Sequence, residues 1–285
     1  IAEIKILAKQ KGIELEKVLI NKQKNGKNIV KLQITNKDRN TTNAMENILS
    51  KALNDKMKYT GKEDIFEKYE SEDKFKLEIG ISRTTKTNSD ASGDSSIQTK
   101  LKDGKYLLAI SDGMGSGQVA RNSSRKVINM LENLLTSGFE KDTSIELINT
   151  AMTTSVEDDM YATIDAAILD LYAGNIELIK NGACSTYIKA QTGVQIIKDA
   201  SVPVGMSNHV KAVKYDKDLE DGDIIVLCTD GIQDSGEDNW LKNILERLQT
   251  ENVQKIADII IGEAIDNNFG IAKDDMTIIV ARVRK

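Results

Sequence analysis

Leu107-Leu108-Ala109-Ile110-Ser111-Asp112-Gly113-Met114-Gly115 carries a short apolar run straight into an acidic, glycine-rich turn. The run has the length of a buried strand, and the turn leaves an aspartate at its end. Far downstream, Ile224-Ile225-Val226-Leu227-Cys228-Thr229-Asp230-Gly231-Ile232 repeats the arrangement. A lone Asp-Gly is ordinarily just a turn, but two of them, each closing a fully apolar strand, point to a common purpose. Gly93-Asp94-Ser95 upstream and Asp274-Asp275-Met276-Thr277 at the head of the last apolar run add two more acidic stations. If folding gathers them, each neighbouring pair of carboxylates repels by roughly 4 kcal/mol at about 4 Å and an effective dielectric near 20. A cation among them would offset that cost.

Outward from these motifs, residues 75–285 alternate strand-like and turn-like segments. Strands are expected over 76–82, 106–111, 161–171, 175–180, 185–189, 194–197, 210–215, 224–229 and 276–283, with turns such as Ala173-Gly174-Asn175 and Glu220-Asp221-Gly222 between them. Short connections of this kind favour antiparallel pairing over parallel βαβ units. One helix follows Gly117, with Val119, Val127, Leu131 and Leu135 near one face and Ile128 and Leu134 alongside. A second is expected to open at Thr143-Ser144-Ile145-Glu146, a capping-box pattern. Another helix pair is expected over 240–248 and 253–265. The fold class is therefore α+β, a central antiparallel β-sandwich flanked by helix pairs.

Residues 1–74 read as a separate small α/β unit. Helices are expected over 1–11 and 42–53, and strands over 16–20 and 28–34 around the turn Lys24-Asn25-Gly26-Lys27. The charged stretch 62–74, KEDIFEKYESEDK, shows no clear period and reads as a linker or outer edge, with a solvated helix as the alternative. The second unit then spans 75–285.

Composition narrows the chemistry. With 40% hydrophobic residues in a chain of 285 the protein can bury a large core, and with 4% aromatics that core must rest on aliphatic side chains. The net charge of −5 argues against nucleic acid or an anionic membrane as partner, because both select clustered Lys and Arg. Only two cysteines occur, and Cys228 inside an apolar run reads as a buried thiol in a reducing cytosol rather than half of a disulfide. No segment has the unbroken apolar length of a membrane span. The chain opens on Ile1, so we expect it to be part of a longer protein.

Other chemistries fail on counting. His209 is the only histidine, which rules out sites built on several imidazoles and makes a Ser-His-Asp triad untenable in so polar a stretch. Gly115-Ser116-Gly117-Gln118-Val119-Ala120 fits a loose dinucleotide fingerprint, yet the second parallel strand that this fold requires is missing. With aspartates as the ligands, the expected ions are hard, Mg²⁺ or Mn²⁺ rather than Zn²⁺.

Together with Ala162-Thr163-Ile164-Asp165, these motifs in this order resemble the type 2C metal-dependent protein phosphatases over about residues 75–285. Val202-Pro203-Val204-Gly205 and the Asp-Gly-Met-Gly and Asp-Asp-Met-Thr wording bring the likeness to the stage II sporulation protein E branch. The resemblance implies a serine/threonine phosphatase with two Mn²⁺ or Mg²⁺ ions and a bridging hydroxide as nucleophile. It implies Asp112 as a ligand bridging both ions, the Gly113 carbonyl on one, Asp230 and Asp274 on the other, and Asp94 acting directly or through water. Asp275 stands where the family usually has Asn, so Asp274 and Asp275 both remain candidates, with Asp274 preferred. Arg83 and Lys86 are alternative phosphate contacts. The implied substrate is a phosphorylated anti-anti-sigma factor. The parent protein would be anchored to the cell membrane by a preceding region, with this part on the cytoplasmic face, making no membrane contact and leaving a homodimer open. A degenerate phosphatase fold acting as a scaffold is the alternative function.

Overall fold

The computed structural model describes residues 1–101, 104–115, 117–154, 161–198, 200–236 and 239–285, so Ser116 of the glycine-rich stretch lies outside the described residues. The chain divides into two compact units, Ile1–Lys74 and Phe75–Lys285.

The first unit runs α1 (Ala2–Gln10), β1 (Leu15–Lys22), β2 (Asn28–Ile34), α2 (Thr41–Leu53), β3 (Met57–Glu63) and β4 (Phe66–Ser71). Its four strands form one antiparallel sheet in the order β1-β2-β4-β3. Ile4, Ala8, Met45 and Leu49 of the helices pack on Val30, Leu32 and Tyr69 of the sheet. The reading of 62–74 as a linker or solvated helix is corrected here, because most of the stretch is the β3–β4 hairpin. A period of two is present, but the inward positions of β4 are Glu67, Tyr69 and Ser71, two of them polar. Burial of Glu67 is made tolerable by an ion pair with Lys37 and a 2.8 Å hydrogen bond donated by the Tyr69 hydroxyl.

The second unit contains β5 (Lys76–Thr84), β6 (Asp94–Lys100), β7 (Tyr106–Asp112), α3 (Gly117–Ser137), α4 (Lys141–Thr153), β8 (Ile164–Asp170), β9 (Asn175–Asn181) and β10 (Thr186–Ala190). It continues through β11 (Gly193–Ile197), β12 (Val213–Asp218), β13 (Ile224–Cys228), α5 (Asp230–Gln233), α6 (Trp240–Arg247), α7 (Val253–Asn267) and β14 (Met276–Arg284). Two five-stranded sheets result, β11-β10-β13-β14-β5 and β12-β9-β8-β7-β6, with every ladder antiparallel. One core fills the gap between the sheets, a second lies under α3 and α4, and a third under α6 and α7. This is the helix-flanked β-sandwich expected from the turns. Because β7 and β8 pair antiparallel on either side of the α3–α4 excursion, the dinucleotide reading is excluded.

Three local expectations are revised. The helix expected to start at Thr143 begins at Lys141, and no side chain caps it. Ser144 is instead buried one turn in, where its hydroxyl donates to the Glu140 carbonyl at 2.9 Å. Val119 is not on the buried face of α3 but is 58% exposed, and Ala120 takes the inward position. A Cβ on Gly113 would lie 1.8 Å from the Ala120 carbonyl oxygen, so the first turn of α3 rests directly on the Asp-Gly backbone and only glycine fits at 113. Finally, β6 has no counterpart among the expected strands, since it is an edge strand with Ile97 as its only large apolar residue.

Both cysteines are free thiols, Cys228 buried. Among the described residues no helix is long and apolar enough to cross a membrane.

Candidate metal centre

Strand side chains alternate between faces, and this alternation builds the site. The gap between the sheets is filled by Leu108 and Ile110 of β7, Ala167 of β8, Leu178 of β9, Leu227 of β13 and Ile279 of β14. Counting on by two along these strands toward one end of the sandwich, the same face presents Asp112, Asp165, Lys180, Thr229 and Thr277. The gap therefore changes from aliphatic to polar at that end. Two threonine hydroxyls bridge it from one sheet to the other. Thr229 donates to Asp94 Oδ2 at 2.9 Å, and Thr186 donates to Asp165 Oδ2 at 2.9 Å. Beside the second, the fully buried Lys180 ammonium donates to Asp165 Oδ1 at 2.7 Å and to Thr186 Oγ1 at 2.6 Å.

Asp94 and Asp112 are cross-strand partners at the mouth of this end. The Asp112 main chain is fixed by Thr163, whose hydroxyl accepts from the Asp112 N–H at 2.9 Å and whose N–H donates to the Asp112 carbonyl at 2.8 Å. Asp230 opens α5 directly after β13, and Gly231 is obligatory there, since a Cβ would sit 2.2 Å from the Asp275 carbonyl oxygen. The tandem acids before β14 take different parts. Asp275 is tied into the scaffold, accepting from the Gly93 N–H at 2.7 Å and the Lys86 N–H at 2.8 Å. Asp274 is 57% exposed at the side chain and has the Lys86 ammonium 3.9 Å away. Arg83 is exposed and donates to the Ser96 hydroxyl.

The acids lie within electrostatic reach of one another. Burial pushes Asp112 up to about 9, assisted by the charges of Asp94, Asp230, Asp274 and Asp275. Burial also pushes Asp94 up to about 6 against the help of the Thr277 and Thr229 hydroxyls, and raises Asp230, with Asp274 the leading charge against it. The Asp112 carboxyl lies close enough to Asp230 to offset part of that rise. Among the described residues no three His, Cys, Asp or Glu side chains already have the spacing of a closed metal cage. The donor set nevertheless fits a hard divalent ion. It is all oxygen, its charges are mutually repulsive, and Asp94 Oδ1 is buried without a well-formed hydrogen bond.

Residues 102–284 match the family model described as Stage II sporulation protein E (SpoIIE). The chain belongs to the stage II sporulation protein E family. It is 31% identical over 214 residues to stage II sporulation protein E of Bacillus subtilis (strain 168), covering 73% of this chain and 26% of that protein. With the protein of the same name from Priestia megaterium it shares 30% identity over 213 residues, 73% of this chain and 36% of that protein. The chain thus spans about a third or less of the curated relatives it matches. Among solved structures, it is similar to the PP2C phosphatase domain with a fragment of the regulatory domain of SpoIIE from Bacillus subtilis. That match has 28% identity and a TM-score of 0.77, and covers 96% of this chain and 83% of that one. The SpoIIE-family chain therefore contains a PP2C-type phosphatase domain.

Several residues at the site were not singled out as candidates from sequence. Thr163 and Thr229 lie inside quoted motifs, but their hydroxyls take on meaning only once the strands pair. Lys180 and Thr186 carry no motif, and only their place in the strand alternation could have marked them.

Proposed function

We propose that this chain is a metal-dependent phosphoprotein serine/threonine phosphatase. The observation that carries the reading is the convergence of Asp94 and Asp112, register partners on one sheet, with Asp230 and Asp274 from the other, the other three all acting on the Asp112 carboxyl. Two Mn²⁺ or Mg²⁺ ions held there would make a water nucleophilic near neutral pH and offset the charge of a phosphoryl group. Asp112 and the Gly113 carbonyl would hold them from β7, Asp230 and Asp274 from the other sheet, with Asp94 acting directly or through water. Asp275 already spends its carboxylate on two backbone N–H groups, which supports Asp274 as the ligand. Lys86, beside Asp274, is the better placed phosphate contact, because Arg83 is engaged with Ser96.

Family membership supports a sporulation role, with a phosphoserine of a phosphorylated anti-anti-sigma factor as substrate and anchoring of the parent protein through a region outside this chain. The unit Ile1–Lys74 would then be regulatory, in keeping with the regulatory-domain fragment in the similar Bacillus subtilis structure. The test is hydrolysis of an aryl phosphate, then of the phosphorylated partner, with Mn²⁺ titrated in. Activity should require the ion and fall at least ~100-fold in Asp112→Asn and Asp230→Asn. Hydrolysis that persists in chelator would overturn the proposal.

A further inference from the structure

Thr229 is 3% exposed and lies at the junction of every acidic station but one. Its hydroxyl accepts from the Thr277 N–H at 3.0 Å and donates to Asp94 Oδ2 at 2.9 Å. Its own N–H donates to the Thr277 carbonyl at 3.1 Å, and its carbonyl accepts from Ile232 at 3.1 Å and Gln233 at 3.3 Å, which starts α5 at Asp230. A backbone N–H can only donate, so the Thr277 amide occupies a lone pair of the Thr229 oxygen and leaves its single proton for Asp94. The direction of the chain is thereby fixed, from Thr277 N–H through Thr229 O–H to Asp94.

We infer that Thr229 is a positioning residue of the metal centre, orienting the Asp94 carboxylate so that Oδ1 is the oxygen presented to a divalent ion. Asp94 sits on β6 in one sheet, whereas Asp230 and Asp274 flank strands of the other. The Thr229 hydroxyl reaches across from the second sheet to hold Asp94 Oδ2. Asp94 Oδ1, by contrast, is buried and lacks a well-formed hydrogen bond, as does the nearby Thr277 hydroxyl. One oxygen is anchored and the other is left over, which is the arrangement expected of a carboxylate held from behind for a ligand. This inference rests on the proposed metal centre.

The experiment measures Mn²⁺ binding by calorimetry in the full chain, with melting in chelator as a separate readout. Thr229→Val keeps the shape and removes the hydroxyl, whereas Thr229→Ser keeps the hydroxyl and removes the methyl. Outer-shell partners of ligands are typically worth about 10–100-fold in metal affinity, so Thr229→Val should weaken Mn²⁺ binding by about 10-fold or more. Thr229→Ser should stay within about 3-fold of the parent. In an Asp94→Asn background the Thr229→Val change should cost nothing further. Parent-like affinity in Thr229→Val, or equal losses in Val and Ser, would overturn the inference. Should Thr229→Val fail to fold, Thr229→Ala against Thr229→Ser makes the same comparison, and equal affinities there overturn it too. A parent that binds no Mn²⁺ at all would instead remove the metal centre on which the inference stands.

Discussion

Asp94 and Asp112 face each other as register partners at the end of the β6–β7 ladder, two carboxylates on neighbouring strands at the mouth of the sandwich. Like charges directly opposite in an antiparallel pair are destabilising, and here burial adds to the cost. Asp112→Asn should therefore raise the melting temperature of the metal-free protein while abolishing Mn²⁺-dependent stabilisation. Each kcal/mol relieved corresponds to roughly 2–4 °C in a domain of this size. Differential scanning calorimetry in chelator and in Mn²⁺ separates the two effects, and a metal-free variant that melts below the parent would contradict the argument.

The same pair predicts a pH dependence. In the metal-free fold Asp94 titrates at about 6 and Asp112 at about 9, both above the ordinary 3.8. The native state holds these protons where the unfolded chain has lost them, so stability falls as pH rises. The contribution is whole below the unfolded value and lost progressively up to about pH 9. Melting in chelator should decline over that window, and less so in Asp112→Asn. Bound ions require deprotonated ligands, so saturating Mn²⁺ should flatten the slope. Identical slopes for parent and Asp112→Asn would refute this assignment.

Much of this was legible in the sequence because alternation and turn residues act locally. The runs ending in Asp112 and Asp230 are apolar on both faces, as strands covered by a sheet on one side and helices on the other must be. Where legibility failed, the inward positions were polar. β4 buries Glu67 and Ser71, which the neighbouring Tyr69 and, from farther along the chain, Lys37, Asn28 and Asp55 make tolerable. Similarly, β6 is held at the sheet edge by its ladder to β7 and by Ser95 against Ser124 rather than by an apolar stripe. The acids were readable as stations, but the division of labour between Asp274 and Asp275 depends on where Gly93 and Lys86 bring their N–H groups.

Lys180 offers a test of the second bridge across the gap. Its ammonium is wholly buried, and Lys180→Met would take the cation away from the buried Asp165 carboxylate while leaving Thr186 beside it. Removing one member of a buried ion pair costs about 3–5 kcal/mol, whereas replacing both by apolar groups is often near neutral. Urea unfolding should show a large loss in Lys180→Met and substantial recovery in Lys180→Met with Asp165→Leu. A single variant within about 1 kcal/mol of the parent would show that water, not Lys180, satisfies Asp165.

Glycines give the sharpest steric contrast. At Gly262, an exposed position within α7, a Cβ would meet nothing within 4 Å, so Gly262→Ala should stabilise by about 0.5–1 kcal/mol through helix propensity. At Gly113 the same methyl would collide with the Ala120 backbone, 1.8 Å from its carbonyl oxygen and 2.5 Å from its carbonyl carbon. Relief requires α3 to lift from the end of β7, which would displace the Gly113 carbonyl and the adjoining Asp112. Gly113→Ala should accordingly lower both the urea midpoint and Mn²⁺ affinity, whereas Gly262→Ala should leave Mn²⁺ affinity unchanged. Parent-like Mn²⁺ binding in a folded Gly113→Ala protein would show that the seat of α3 does not govern the metal centre.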